Sequence, residues 1–205
     1  LPFPSFFSGA AWHFIAGENK VSFLNGEAFT GVRPAFIPTV LLAKAPVAFM
    51  LLAVLGCVAC ARRKSQAPIL ALLLFLAAAV VWIAFFSLSV NSGVPHIMPV
   101  YAFLAILAGA SVSNIRRVGI APVLVCVLLL WNVFASLSIA PHYMAYFNEL
   151  AGGSDRGHAV LGVPNFDWGQ DLSTLKRYMG SKGIKSVKLS YFGTADPSYY
   201  GVSYE

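Results

Sequence analysis

"VLLAKAPVAFMLLAVLGCVACARRK" (residues 40–64) decides the fold class. Between Ala45 and Ala61 it carries no charged side chain, and it ends on three consecutive cations, Arg62, Arg63 and Lys64. Taken from residue 37 to residue 61, the run is long enough to cross a hydrocarbon layer, which takes about 20 mainly apolar residues. Hydrocarbon offers no water to a free N–H or C=O, so such a run must be helical. The composition of the whole chain agrees. Of its 205 residues 58% are hydrophobic and 11% charged, too apolar for an ordinary soluble domain.

Working outward, three more stretches read as spans: 68–90, 97–112 and 119–139. The third run, 97–112, is the shortest and most broken, with Pro99 and Gly109 inside it. Basic loops mark the cytoplasmic side of a membrane protein. Arg62–Lys64 lie between the first and second spans and Arg116 with Arg117 between the third and fourth, whereas "SVNSGVPH" (89–96) carries no Lys or Arg. Four crossings then leave both ends outside. The expected architecture is mainly α and integral to the membrane: an extracytoplasmic, interfacial segment 1–36, a four-helix transmembrane region 37–139, and a small extracytoplasmic α/β segment 140–205.

Phe6, Phe7, Trp12 and Phe14 suit headgroup depth, where aromatic rings collect. "APHYMAYFNELAGG" (140–153) continues the fourth helix or starts a new one. A helix is expected over 169–181, ended by Gly183, and a strand over 185–193. The chain opens on Leu1 in a polar-aromatic stretch and stops on "YYGVSYE", so a fragment of a longer protein is expected. Net charge is +6, yet the cations are scattered and nothing resembles a nucleic-acid patch. Cys57 and Cys60 make a C-x-x-C, but in an apolar helix they read as small packing residues, and with Cys126 also in an apolar run no disulfide is expected.

Chemistry concentrates at few positions. In "NFDWGQDL" (165–172), Asp167 and Gln170 have the spacing of a capping box, and Asp171 falls in the first turn, where negative charge suits the helix dipole. Trp168 is not explained that way. An indole beside carboxylates and an amide also suits a sugar or headgroup surface. Lys44 lies near the outer end of the first span. A lysine in hydrocarbon costs about 3 kcal/mol, so it either snorkels to the rim or meets the phosphate of a lipid-linked ligand. His96 opens the third span. Glu27, in "FLNGEAF" (23–29), either bonds locally or faces a cavity. His142 and His158 have no metal-ligand spacing, and no nucleophile elbow or phosphate-binding loop motif is present.

Together, "LPFPSFFSG", "FLNGEAFTG", "LLAKAPVAFMLL", "NSGVPHIMPVYAFL", "PHYMAYFNELAGG", "NFDWGQDLSTLKRYM" and "LSYFGTADPSYYG" occur in an order that resembles bacterial family-39-like glycosyltransferases, membrane enzymes of the GT-C type related to protein O-mannosyltransferases and lipid A aminoarabinose transferases. The resemblance runs over essentially the whole chain. It implies the C-terminal part of a plasma-membrane enzyme that moves a sugar from a polyprenyl-phosphate donor to an extracytoplasmic acceptor. It also leaves room for a divalent metal, and places the catalytic carboxylate upstream, so no catalytic residue is assigned and the isolated fragment is expected to be inactive. Lys44 matches the lysine of the family's K-T-P stretch, with Ala45 in the middle. His96 matches the histidine of an R-H-x-x-P stretch, with Pro95 where arginine is usual. That guanidinium would be a natural bidentate phosphate partner. Lys44, His96 and Glu27 are the expected lipid-phosphate or substrate side chains, and Asp167, Trp168, Gln170 and Asp171 the external-domain motif. Two other classes fit the same features. A non-catalytic membrane scaffold is favoured by the missing arginine, and a transporter fragment is weakened by the lack of charged pairs and of an inverted repeat.

Overall fold

A computed structural model describes Ser8 and residues 21–87, 93–113, 119–163 and 165–205. Phe6, Phe7, Trp12, Phe14, Arg116 and Arg117 lie outside the described residues. The chain is mainly helical, at 62% helix, and divides into two compact units, Leu1–Asn165 and Phe166–Glu205.

From residue 21 on, the first unit shows a hairpin, β1 (Ser22–Leu24) and β2 (Glu27–Phe29), in the antiparallel register Ser22↔Phe29, Phe23↔Ala28, Leu24↔Glu27. Its two-residue turn is Asn25 (φ 50°) and Gly26 (φ 88°). Both are left-handed, as a type I′ turn requires, and Asn-Gly is the pair that tolerates this most readily. Five long helices follow: α1 (Phe36–Lys44), α2 (Val47–Ala61), α3 (Ala67–Ser87), α4 (Val94–Ser113) and α5 (Ile120–Ser138). The short α6 (Gly157–Val160) closes the unit, and Leu24 bridges Leu161 just beyond it.

Two of these helices, α4 over Val94–Val112 and α5 over Ile120–Ser138, are long and apolar enough to cross a membrane, and α1 with α2 makes a third candidate if the bent pair is one span. Only 22% and 17% of the α4 and α5 windows are buried inside the protein. The rest of their apolar surface calls for a nonaqueous surrounding. Over its fully described part, Ala67–Trp82, α3 is a shorter apolar helix.

The expected unbroken helix over 37–61 is corrected to a bent pair: α1 and α2 meet at 105°, and only taken together do they pass as a span. Pro46 is the cause. It has no N–H to continue the ladder, and its ring drives the preceding residue out of the helical region. Ala45 accordingly takes φ −79°, ψ 134°. The third run is also corrected, to 94–113 rather than 97–112. It runs through Pro99 without ending, and loses one hydrogen bond there. The stretch 140–153 neither extends α5 nor starts an α-helix. A cis Ala140–Pro141 peptide and two 3₁₀ turns, Tyr143–Ala145 and Glu149–Ala151, carry it.

The core of this unit lies where α2 meets α4 and α5. Ala48 and Leu52 pack on Val125 and Leu128, with Ala108 and Trp131 at the edge. Ala53, Cys60, Leu70 and Leu107 form a second cluster, with Cys57 against it. The C-x-x-C thus sits inside helix packing, and Cys57, Cys60 and Cys126 are free thiols.

The second unit holds α7 (Leu172–Lys182) and a 3₁₀ turn, Pro197–Tyr200. Leu172 and Met179 are the buried residues of α7. Gly183, left-handed at φ 66°, ends the helix where the sequence places its stop. The strand expected over 185–193 is corrected to one isolated parallel bridge, Val187↔Tyr204. A strand needs a row of partners, and among the described residues only the tail at Ser203–Glu205 supplies any, through Val187 N–H to Ser203 O (3.1 Å) and Glu205 N–H to Val187 O (3.0 Å).

Candidate functional site

The break between α1 and α2 leaves the last carbonyls of α1 without intrahelical partners, as any helix end does. Asn148 fills this gap. Its Nδ2 donates to Leu42 O (2.5 Å) and Ala45 O (2.6 Å), and its backbone N–H donates to Ala43 O (2.9 Å). Its Oδ1 accepts from Ala151 N–H (3.2 Å), which caps the turn Glu149–Ala151. One fully buried amide therefore satisfies a helix C-terminus and a 3₁₀ N-terminus together.

Lys44, the last residue of α1, leans over this clamp. Its Nζ donates to Met144 O (2.8 Å) and Asn165 O (2.7 Å), and lies 4.1 Å from the centre of the Phe147 ring. All three partners are neutral. Among the described residues the only ion pair is Arg33–Glu27, at 2.8 Å, so the lysine charge is held but not neutralised. An ammonium has three donors, and two are placed here.

Further groups surround the break. Phe49, in the first turn of α2, stacks on Tyr101 of α4 at 6.4 Å. The Tyr146 hydroxyl is buried and has no hydrogen-bond partner among the described residues. Burial and then the nearby Glu149 carboxylate push its pKa up to about 12, so it stays a neutral donor. Glu149 itself accepts from Trp131 Nε1 at 3.0 Å. On the other side of α1, an apolar cavity of about 410 Å³ opens between α1, α3 and α4, lined by Ile37, Pro38, Leu41, Ala78, Trp82 and Val100 among others. Ile37, Pro38 and Leu41 are the α1 residues of this wall, and Lys44, three residues beyond Leu41, turns its ammonium to Met144, Asn165 and Phe147 instead.

The other expected residues are placed differently. Glu27 is exposed on β2 and spends its charge on Arg33, whose guanidinium also covers the Phe29 ring at 4.7 Å. His96 is half-buried in the first turn of α4, beside the fully buried Ile97, with its backbone N–H on Gly93 O at 3.2 Å. Among the described residues, no three His, Cys, Asp or Glu side chains gather as metal ligands.

The motif Asp167, Trp168, Gln170 and Asp171 belongs to the second unit, and the expected capping box is corrected. The helix begins at Leu172, with Asp171 rather than Asp167 at its cap, and Asp171 makes no side-chain capping bond. Gly169 at φ 77° interrupts any helix started at Asp167. The polar side chains tie a tight turn instead. Asp167 Oδ1 accepts from Gly169 N–H (2.8 Å), and Gln170 Oε1 accepts from Trp168 N–H (2.7 Å). Gln170 Nε2 donates to Phe166 O and to Asp171 Oδ2, both at 3.2 Å. Trp168 remains 49% exposed, edge-on to Phe192 at 6.0 Å.

Asn148 and Tyr146 were not singled out in the sequence. Asn148 had a signal, an asparagine directly before Glu149 at a turn start, which is cap chemistry. Tyr146 had none, because the burial of its hydroxyl is set by folding. Against known proteins, no family model, no curated protein and no solved structure matches this chain.

Proposed function

We propose that this chain is part of a multi-pass enzyme of the bacterial inner membrane that transfers a sugar from a polyprenyl-phosphate donor to an acceptor outside the cytoplasm, with four spans and both ends external. The supporting observation is a pairing on α1: an apolar cavity lined by Ile37 and Leu41, and, three residues beyond Leu41, a lysine that has no counter-ion among the described residues. A branched isoprenoid chain suits a pocket lined by Ile37, Leu41, Ala78 and Val100. The phosphate that joins it to the sugar suits the Lys44 end. When an acceptor hydroxyl or amine attacks the anomeric carbon, the bond from that carbon to the phosphate oxygen breaks and negative charge grows on the leaving phosphate. Lys44, with one donor left over from its two carbonyls, offsets that charge. Tyr146, in the chain between the Met144 carbonyl and the Phe147 ring that Lys44 meets, is a neutral hydroxyl donor.

A second reading has its own support. The carbonyl partners of Lys44 also make it a staple between α1 and the segment around Met144 and Asn165, which a scaffold without activity would need equally. The two separate in the full-length protein, reconstituted with a labelled polyprenyl-phosphate sugar. Under the transferase reading, Lys44→Ala raises KM for the donor about tenfold or more, the loss of one charged hydrogen bond, while Lys44→Arg keeps most of the affinity. An unchanged KM in a Lys44→Ala protein of lowered thermal stability overturns the phosphate role and leaves the staple.

A further inference from the structure

The second unit carries a charge pattern that donor binding does not use. From Leu172 to Ala195 there is no acidic residue, but Lys176, Arg177, Lys182, Lys185 and Lys188 all fall there. Two contacts fasten the aromatic tail onto this basic run. The stem of Lys176 lies against Gly201, with its Cε 3.3 Å from where a Cβ would stand, beside the turn Pro197–Tyr200. The Val187↔Tyr204 bridge brings the tail against the neighbours of Lys188. Tyr199 is 87% exposed and Tyr204 47%, and Tyr200 meets Tyr199 edge-on at 5.6 Å. Two acids lie close by, Asp196, which accepts from the Ser198 amide (2.8 Å) and hydroxyl (2.7 Å), and Glu205, whose N–H donates to Val187 O (3.0 Å) beside Lys188, and the basic run outnumbers them.

We infer that this face of the second unit, formed by Lys176, Lys185, Lys188, Tyr199 and Tyr204, docks on an anionic lipid surface. Charge complementarity carries the assignment. A one-signed basic run attracts phosphate headgroups, and exposed tyrosines are the side chains that settle at headgroup depth, with an apolar ring below and a hydroxyl in water. A soluble acidic partner would be met by the cations but would give the tyrosines no apolar layer to enter. The chain itself supplies the surface, because the unit follows α4 and α5, two helices of membrane-crossing length. The inference requires those spans and is independent of the glycosyl-transfer reading.

The test uses the full chain in nanodiscs of phosphatidylcholine alone or of phosphatidylcholine with phosphatidylglycerol at about 7:3, a strongly anionic surface. Cys57, Cys60 and Cys126 are changed to Ser, and Tyr199→Cys carries an environment-sensitive fluorophore. The expected result is a blue-shifted, brighter emission in the anionic discs, reversed by high salt. Each cation near the surface is worth about a fivefold change in the docked population, so Lys176→Glu with Lys185→Glu and Lys188→Glu should abolish the shift. Equal emission in both discs overturns the inference, as does an anionic-lipid shift that survives the triple reversal. Unchanged circular dichroism of the triple variant keeps a folding defect from imitating the expected loss. Loss of the lipid response with donor KM intact would leave the transferase reading untouched.

Discussion

Replacing Gly56 with alanine adds one methyl group where α2 and α4 cross. A Cβ at this position would overlap Leu107 O, stand 2.6 Å from the Leu107 carbonyl carbon and lie 3.1 Å from Ser111 N. These are backbone atoms of the facing helix, so no rotamer change makes room. Carbon atoms rest about 3.5–4.0 Å apart, so the helices must part by at least about 1 Å, and a gap of even that size forfeits a quarter to a half of each dispersion contact across it. The cluster Ala53, Cys60, Leu70 and Leu107 lies along this crossing. Overpacking of this kind costs about 1–3 kcal/mol, occasionally more. Lipid tails are as apolar as the side chains, so close packing is the main force left to hold the helices together. Gly109 on α4 is the control, because a Cβ there meets nothing within 4 Å. Gly109→Ala should be neutral or stabilise by up to about 1 kcal/mol through backbone entropy. Unfolding in mixed detergent–SDS micelles, followed by far-ultraviolet circular dichroism, reads both. A Gly56→Ala protein within about 0.5 kcal/mol of the parent, the range of an ordinary surface change, would refute the close crossing.

Other outcomes follow from the same structure. Asn148→Ala removes the donors to Leu42 O and Ala45 O and the cap on Ala151. Unmade buried hydrogen bonds cost about 1–3 kcal/mol each, so the same SDS titration should lose several kcal/mol, and Asn148→Asp should restore only the Ala151 cap, because a carboxylate accepts but cannot donate. In the hairpin, Gly26→Ala forces a side chain into φ 88° at a cost of about 1 kcal/mol, read as faster amide exchange at Leu24 and Glu27, the pair that closes the turn. The Ser198 hydroxyl and amide hold the Asp196 carboxyl below the usual carboxylate range. The turn at Pro197–Tyr200 should therefore keep its protection at and above the pH where free carboxylates titrate, and lose it as pH falls through the lowered pKa. Ser198 amide exchange against pH checks this, and Asp196→Asn should flatten the profile.

Local, periodic features were decided by the sequence alone. The uncharged run 45–61 specifies a helix by itself, because its length and lack of charge leave the backbone no other way to satisfy its hydrogen bonds in an apolar surrounding. The stop at Gly183 follows from one residue's freedom in the left-handed region. The hairpin turn was equally present as Asn25-Gly26, though without a strand-like flank it was not read as one. Features that depend on distant partners were not legible in this way. Pro46 removes one donor from the helix ladder, yet the 105° bend holds because Asn148, more than a hundred residues away, bonds the carbonyls the bend exposes. Capping-box spacing at Asp167 and Gln170 was real, but Gly169 turned the pair onto its own loop. Lys44 was recognisable as a costly charge, and only the folded chain settled that it rests on the carbonyls of Met144 and Asn165 and the ring of Phe147. Sequence thus determined where the apolar helices run, since water and hydrocarbon act on every residue alike. Tertiary structure decided where the helix breaks and what holds its charge, because a carbonyl left bare at one point must find its donor elsewhere in the chain.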